Sequence, residues 1–239
     1  MRVSRAGDLW PSFPRPTGRF FPRGGPQVSV PFPITHPKIN RYLRSIQTRR
    51  HPILRSMEAY AERNGFPIIG PLVGPVLFQL ARMIDARRVF ELGSGYGYSA
   101  VWFAQAVGPR GLVVMTEGNP ANSRLAMKYL KSARLAARVR PLVGDGLELL
   151  SSERGRFDVI LNDIDKDQYP RVLPLARKKL RRGGLLISDN MLWSGRVMRA
   201  RPDRRTRGIL ELTRALFHAP DFFTTLLPIR DGVTVSLRL

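Results

Sequence analysis

The amino-acid sequence predicts an α/β fold with a doubly wound, mostly parallel seven-stranded sheet and a C-terminal antiparallel hairpin. Short apolar segments alternate with segments of helical period between residues 88 and 218, a pattern typical of strands joined by crossover helices. Two last apolar segments flank Arg230-Asp231-Gly232, a turn suited to an antiparallel hairpin. These patterns indicate a Rossmann-like domain, and 239 residues are enough to give it a sizeable core.

The helices are predicted from apolar residues at helical spacing and from the breaks between them. His51-Pro52 separates the first helix from the second, and Asn64-Gly65-Phe66-Pro67 separates the second from the third, because proline and glycine interrupt helices. Each later helix follows a strand. The predicted helices are Ile39–Ile46, Ile53–Arg63, Leu72–Ile84, Tyr98–Ala106, Pro120–Ala137, Gln168–Leu180 and Thr206–His218.

The strands are predicted from short apolar runs that are bounded by glycine or charge. Such runs are apolar throughout because a parallel strand is covered on both faces. The first five should pair in parallel, and the last two should form the hairpin at one edge of the sheet. The predicted strands are Arg88–Leu92, Gly111–Glu117, Val139–Val143, Phe157–Asp163, Gly183–Asp189, Phe222–Ile229 and Val233–Leu239.

Residues 1–38 differ in composition from the remainder of the chain. They contain eight prolines, and six basic residues against one acidic residue. No helical or strand period persists through that proline spacing. We expect a basic, Pro-rich extension that is irregular or disordered, followed by a folded domain at residues 39–239. Two interpretations of the extension stay open: it binds a partner, or it results from a wrongly assigned upstream start.

Composition narrows the class of protein. The chain has no cysteine, which excludes disulfides, thiolate metal ligands and a cysteine nucleophile. No apolar run approaches the ~18 residues that a membrane helix needs, and the first 38 residues lack the compact apolar stretch of a signal peptide. We therefore expect a cytoplasmic protein that does not enter membranes.

The charge of the chain is strongly positive, at +22, and only six of its 40 basic residues are lysines. A basic balance favours anionic partners such as nucleic acid or phosphorylated substrates. A genome-wide preference for arginine would produce the same balance, so this alternative stays open.

Acidic residues follow two of the predicted strands. Asp163 ends the fourth strand, with Lys166 close behind, and Asp189-Asn190 ends the fifth. Ligands of open α/β sheets lie outside the carboxyl ends of the strands, so these side chains should share one crevice. Two carboxylates and an amide oxygen favour a hard cation such as Mg²⁺, with water completing the coordination.

The first three strand ends favour an adenosine ligand. The first strand leads into Gly93-Ser94-Gly95-Tyr96-Gly97, and glycines at a strand–helix turn let a ligand approach the backbone. Glu117 ends the second strand, 22 residues after Gly95, where an acid is placed to accept hydrogen bonds from ribose hydroxyls. Gly144-Asp145-Gly146 ends the third, and its small residues suit an adenine edge.

Three motifs carry a resemblance to a known family. They are Glu91-Leu92-Gly93-x-Gly95-x-Gly97-Tyr98-Ser99, then Phe157-Asp158-Val159-Ile160-x-x-Asp163-x-Asp165-Lys166-x-x-Tyr169, and Asp189-Asn190-x-Leu192-Trp193-x-Gly195. From about Ile39 to Leu239 the chain resembles the cation-dependent O-methyltransferases, the catechol and caffeoyl-CoA O-methyltransferase family. The resemblance implies an S-adenosylmethionine-dependent enzyme, a homodimer, and a bound Mg²⁺, with Mn²⁺ or Ca²⁺ as alternatives.

The resemblance also implies roles for single residues. Asp163, Asp189 and Asn190 would bind the metal, and Lys166 would act as the base, with Asp163 beside it in the catalytic centre. The residues implied for S-adenosylmethionine are Ile69 and Ser99 at its methionine end, Gly93 and Gly95 beneath it, Glu117 at the ribose, Gly146 at the adenine, and Glu91 and Asp163 in the motifs around it.

The acceptor is less closely defined than the methyl-transfer residues. Catechol-type enzymes have tryptophan where this chain has Asp165, and a glutamate before the last hairpin, whereas Thr225–Pro228 contains no acid. We expect a hydroxylated small molecule of catechol-like or hydroxycinnamoyl type, walled by Met191 and Trp193. The arginine-rich run from Arg196 to Arg207 favours an anionic acceptor.

Two other function classes stay open. Some relatives methylate 5-hydroxyuridine in tRNA, and the basic charge suits such a partner, although no separate RNA-binding module is evident. A non-catalytic nucleotide-binding protein is the third class, and the complete acidic set argues against it.

Overall fold

The structure is a computed structural model that describes residues 34–47 and 50–239. The helices are α1 Pro37–Ser45, α2 Pro52–Asn64, α3 Gly70–Met83, α4 Tyr98–Ala106, α5 Pro120–Ser132, α6 Gly146–Ser152, α7 Val172–Lys179 and α8 Arg204–Phe217. The strands are β1 Arg88–Leu92, β2 Leu112–Glu117, β3 Val139–Val143, β4 Phe157–Asn162, β5 Leu180–Ser188, β6 Phe222–Leu227 and β7 Val233–Arg238. Short 3₁₀ segments lie at Ala136–Arg138 and Lys166–Arg171, and Trp193–Met198 is an irregular turn with left-handed φ at Ser194 and Gly195.

The strands form one sheet in the order β3-β2-β1-β4-β5-β7-β6. The first five pair in parallel, and β7 pairs antiparallel with both β5 and β6. The predicted fold class is therefore confirmed. The strand order reverses between β1 and β4, and the crevice at that point is where open α/β sheets bind their ligands.

Alternate residues of the inner strands pack into two separate hydrophobic cores. Val89, Val113 and Val159 join the core under α2 to α5, whereas their neighbours Phe90 and Val114 join the core under α6 to α8. Both faces of the sheet are thus covered by helices, which explains why these strands are apolar throughout. A rigid sheet buried on both sides gives the loops at its carboxyl edge a fixed base.

Helix α6 was not predicted. It is only seven residues long, too short for a helical period to be recognised. Its signal is Asp145, whose side chain accepts hydrogen bonds from the backbone N–H groups of Leu147 and Glu148 at 2.8 and 3.2 Å.

Three predicted boundaries were wrong by several residues. Helix α5 ends at Ser132 because Arg134 adopts a left-handed φ of 57°. The segment before α7 is a 3₁₀ turn containing Pro170, which lacks the N–H that an α-helix needs. Strand β5 begins at Leu180, which was assigned to the preceding helix, because Leu180 pairs with Phe157 across a bulge.

The predicted extension lies mostly outside the described residues, which begin at 34. Helix α1 begins at Pro37, two residues before the predicted domain boundary, since proline fits the first turn of a helix. Within the part of the chain that the structure describes, no helix has the length and apolar character needed to cross a membrane.

Candidate active site

The carboxyl ends of β1 to β5 open into a single cavity of about 760 Å³. A small recess of about 30 Å³ adjoins it and shares Phe66, Gly93 and Asp163 with it. Ile69 and Ser99 line the recess. The predicted residues that line the main cavity are Gly93, Gly95, Glu117, Gly146, Asp163, Lys166, Asp189 and Asn190.

The glycine turn after β1 is held against both neighbouring strands. Ser94 N–H donates to the Thr116 carbonyl at 2.8 Å, which fixes the turn to the end of β2. Gly93 has φ 80°, and a Cβ there would lie 2.6 Å from the Asp163 carbonyl oxygen after β4. Only glycine permits that approach, so the turn and the acidic loop form one continuous cavity wall.

Glu91 lies beneath this turn and outside the cavity wall. It has no exposed surface, and its Oε2 accepts a hydrogen bond from Ser94 Oγ at 3.0 Å, while Oε1 has no partner. Burial raises the pKa of Glu91 to about 7, although the hydroxyls of Ser99 and Ser94 act in the opposite direction and lower it. The geometry gives Glu91 a supporting position, and its predicted contact with the cofactor stays a prediction.

The raised pKa of Glu91 predicts a pH-dependent stability. The folded protein keeps the proton between the ordinary pKa of 4.5 and about 7, whereas the unfolded chain loses it, so this contribution is present below pH 4.5 and is lost as pH rises through 7. Glutamine carries no titratable proton at this position. The free energy of unfolding of Glu91→Gln, relative to that of the wild type, should therefore be higher at pH 8 than at pH 5 by about 3 kcal/mol.

Urea unfolding without cofactor at both pH values measures this gain, and the exposed Glu211→Gln is the control. The same wild-type-to-variant difference at pH 5 and pH 8 would contradict a buried, protonated Glu91.

Glu117 is oriented by the turn that follows β2. Its Oε1 accepts hydrogen bonds from Asn119 N–H at 2.9 Å and from Asn122 Nδ2 at 3.3 Å. Gly146, the first residue of α6, also lines the cavity, and a Cβ there would meet Thr116 Oγ1 at 2.8 Å. This end of the cavity thus combines an oriented carboxylate with a position at which the packing favours glycine.

Lys166 is held in place by several groups. Its Nζ donates to Asp163 Oδ1 at 2.8 Å and to the Ile164 carbonyl at 3.0 Å. The ammonium also lies 5.0 Å from the ring centroid of Tyr169, a distance suited to a cation–π contact. Helix α8 packs tightly behind it, since a Cβ on Gly208 would lie 2.1 Å from the Lys166 carbonyl oxygen.

Asp189 is the most deeply buried carboxylate of the cavity wall. It is 1% exposed, its Oδ2 pairs with Arg230 Nη1 at 3.2 Å, and its Oδ1 has no hydrogen-bond partner. Burial and then the charge of Asp163 raise the pKa of Asp189 to about 7, although Arg230 and Lys166 oppose that rise. A buried carboxylate oxygen without a partner is costly, and a cation would compensate it.

Asn190 follows in a left-handed conformation, with φ 58°. Its Nδ2 donates to Asp231 Oδ2 at 3.3 Å, which leaves the amide oxygen for other contacts. The turn thereby presents the amide at the same side of the cavity as Asp189.

The side-chain oxygen atoms of Asp163, Asp189 and Asn190 are of the kind that binds a divalent cation. Among residues 34–47 and 50–239, no group of three or more His, Cys, Asp or Glu side chains is arranged to hold a metal ion. The predicted set instead has two carboxylates and an amide, Asp163, Asp189 and Asn190, with the unpartnered Asp189 Oδ1 among them. Hard oxygen ligands of this kind, completed by water, suit Mg²⁺ or Mn²⁺.

The residues predicted to wall the acceptor pocket are placed differently from the prediction. Trp193 lines the cavity, but Met191 is 1% exposed and packs in the core. All six arginines between 196 and 207 are described, and of these only Arg205 lines the cavity. Arg205 lies 3.8 Å from Asp165, which is well exposed.

Arg230 is a cavity residue that the sequence analysis missed. It lies in the β6–β7 turn, 41 residues after Asp189. The sequence carried no signal for it beyond its place in a predicted turn, because only the antiparallel pairing of β7 with β5 brings that turn to the cavity.

Comparisons with known proteins agree with this geometry. Residues 45–239 match the family model described as O-methyltransferase. A catechol O-methyltransferase from Mycobacterium tuberculosis is 32% identical over 165 residues, 68% of this chain and 75% of that protein. A caffeoyl-CoA O-methyltransferase from Eucalyptus globulus is 31% identical over 179 residues, 70% of this chain and 72% of that protein.

A solved structure agrees as well. It is the O-methyltransferase TomG from Streptomyces achromogenes, involved in tomaymycin synthesis and solved in complex with SAM. It superposes with a TM-score of 0.77 at 26% identity, covering 84% of this chain and 96% of that one. Sequence, fold and site therefore lead to one conclusion: the chain belongs to the O-methyltransferase family.

Proposed function

We propose that this chain transfers a methyl group from S-adenosylmethionine to a hydroxyl of a catechol-like or hydroxycinnamoyl-type small molecule, assisted by a divalent cation. The observation that carries the proposal is one cavity that joins the glycine turn, the Glu117 carboxylate, and the acidic set beside Lys166. The names of the Mycobacterium and Eucalyptus relatives and the ligand of TomG support the acceptor class and the methyl donor.

The cofactor half of the cavity is the β1 to β3 side. S-adenosylmethionine supplies a methyl carbon on a sulfonium. The backbone at Gly93 and Gly95 would lie beneath it, and the Glu117 carboxylate would accept hydrogen bonds from the ribose hydroxyls. Ile69 and Ser99, in the adjoining recess, would enclose its methionine end.

The chemical half is the β4 and β5 side. A divalent cation held by Asp163, Asp189 and Asn190 would lower the pKa of a bound hydroxyl and orient it. Lys166 would act as the general base and take the hydroxyl proton at Nζ. The acceptor oxygen then bonds to the methyl carbon while the carbon–sulfur bond breaks, giving a methyl ether and S-adenosylhomocysteine. Trp193 and the loop around it would position the acceptor.

A methyl-donor assay against catechols, hydroxycinnamoyl-CoA esters and tRNA lacking the wobble modification tests the acceptor class. We expect methylation of the small molecules. Transfer to tRNA alone would replace this function by the tRNA 5-hydroxyuridine O-methyltransferase alternative.

The cofactor half is tested at Glu117. Glu117→Ala should weaken S-adenosylmethionine binding more than about tenfold, because a hydrogen bond to a charged group is worth roughly 1.5–3 kcal/mol. Calorimetry measures the Kd, and the exposed Glu148→Ala on α6 is the matched control. Equal affinity in wild type and Glu117→Ala would place the ribose elsewhere.

The acceptor half is tested at Arg205. We propose that Arg205, at the cavity rim, binds a carboxylate or phosphate of the acceptor. Arg205→Ala should raise the KM of acceptors that carry such a group roughly twofold to fivefold, within the range of an exposed charge contact. Neutral catechols should keep their KM, and the exposed Arg201→Ala should leave both classes unchanged. An equal rise for neutral and anionic acceptors would reject the anion contact.

A further inference from the structure

The turn between β6 and β7 is fastened to the loop that follows β5. Met191 N–H donates to the Gly232 carbonyl at 2.9 Å, and Leu192 N–H donates to the Asp231 carbonyl at 2.8 Å. The Asp231 side chain also accepts hydrogen bonds from Asn190 Nδ2 and from the backbone N–H of Ser194. These contacts fix the position of the turn relative to Asp189 and Asn190.

Arg230 projects from this fixed turn to the buried carboxylate of Asp189. Its Nη1 lies 3.2 Å from Asp189 Oδ2, and its side chain is 34% exposed where that of Asp189 is 2% exposed. Arg230 has φ 54°, a left-handed conformation that costs free energy for a residue other than glycine. Arg230 thus forms this ion pair from a backbone position that by itself favours glycine.

Both carboxylates of the proposed metal set already face a cation of the chain. Lys166 pairs with Asp163 at 2.8 Å, and Arg230 pairs with Asp189 at 3.2 Å. Lys166 has a place in the proposed chemistry, whereas Arg230 has none. A divalent cation at this set must share Asp189 with the Arg230 guanidinium, and the two positive charges repel at short range.

We propose that Arg230 is an internal counter-ion that holds the Asp189 carboxylate in place without metal, competes with a divalent cation for it, and so lowers metal affinity. Arg230 is in this sense a positioning residue. The inference rests on the proposed metal-dependent function. It means that the β6–β7 turn determines the metal concentration that the enzyme needs for activity.

Mn²⁺ binding to the full chain, without methyl donor or acceptor, tests the proposal. Free Mn²⁺ is followed by its electron paramagnetic resonance signal in titrations of the wild type and three variants. Arg230→Gly and Arg230→Gln remove the charge, and each should lower the Mn²⁺ Kd by roughly tenfold, the scale of a partly solvated like charge at short range. Arg230→Lys keeps the charge and should stay close to the wild type.

A control arginine is available far from the cavity. Arg177 pairs with Asp221 through two hydrogen bonds of 2.9 Å, so Arg177→Gln removes an equal charge from an exposed ion pair. Its Mn²⁺ Kd should match that of the wild type. Tightening by the same factor in Arg177→Gln would attribute the effect to net charge and overturn the proposal.

The remaining outcomes separate this inference from the proposed function. Mn²⁺ binding that is lost in Asp189→Asn but unchanged or weaker in both charge-removing variants overturns the role of Arg230 and supports the metal site. Tightening in Arg230→Gly without tightening in Arg230→Gln assigns the effect to the backbone and overturns the charge argument. Absence of binding in the wild type and in all variants at millimolar Mn²⁺ overturns both.

Discussion

Replacing Asp189 with asparagine is expected to reduce turnover at least about a hundredfold, since a metal that polarises the reacting oxygen contributes several kcal/mol to transition-state stabilisation. Asp189 is 1% exposed, and its Oδ1 has no partner within the protein. An asparagine there retains the size of the side chain but removes the charge that would hold the cation. S-adenosylmethionine affinity should stay within about twofold, because Asp189 lies on the β5 side of the cavity, away from Glu117.

The same reasoning predicts that a chelator abolishes turnover and that Mg²⁺ or Mn²⁺ restores it. Steady-state kinetics with and without chelator measures the loss in wild type and Asp189→Asn. Asp85→Asn is the control, since Asp85 is exposed and does not line the cavity. Undiminished wild-type activity in excess chelator would remove the cation from the proposal.

Replacing Lys166 with methionine is expected to lower kcat by about 10²- to 10⁴-fold, the usual contribution of a positioned general base. The Nζ is held by Asp163, the Ile164 carbonyl and the Tyr169 ring, so its position in the cavity wall is fixed. Methionine fills a similar volume but accepts no proton. S-adenosylmethionine affinity should be unchanged, because Lys166 lies on the chemical side of the cavity.

Lys166→Arg separates proton transfer from electrostatic support. Arginine is positively charged and stays protonated, so it cannot accept a proton. The variant should therefore be as slow as Lys166→Met if Lys166 is the base. Single-turnover methyl-transfer rates, measured on a hydroxylated acceptor that the wild type methylates, report the chemical step, and the exposed Lys128→Met is the control. Near wild-type rates in Lys166→Arg would show that charge at this position suffices.

Much of the fold followed from local rules. Short apolar runs separated by helical segments predicted a doubly wound sheet, because a strand covered on both faces needs apolar residues throughout. Boundaries failed where a long-range contact overrides local preference, as when Leu180 leaves its predicted helix to pair with Phe157. Helix α6 was missed because seven residues are too few to display a period.

The sequence by itself also determined which strand ends would form the site. Glu117, Asp163 and Asp189 each follow an apolar run, and the parallel arrangement of strands brings such ends to one edge. Their presence around one cavity therefore follows from topology, which the sequence pattern already indicated. The resemblance to O-methyltransferases implied the same residues from motif spacing.

Only the tertiary structure decided what surrounds those residues. The motif does not reveal that Glu91 is enclosed beneath the glycine turn, or that Met191 points into the core and not into the acceptor pocket. Arg230 reaches Asp189 because β7 runs antiparallel beside β5, with Ser188 opposite Thr234. Burial and ion pairing depend on contacts between distant segments, and a spacing rule along the chain carries no information about them.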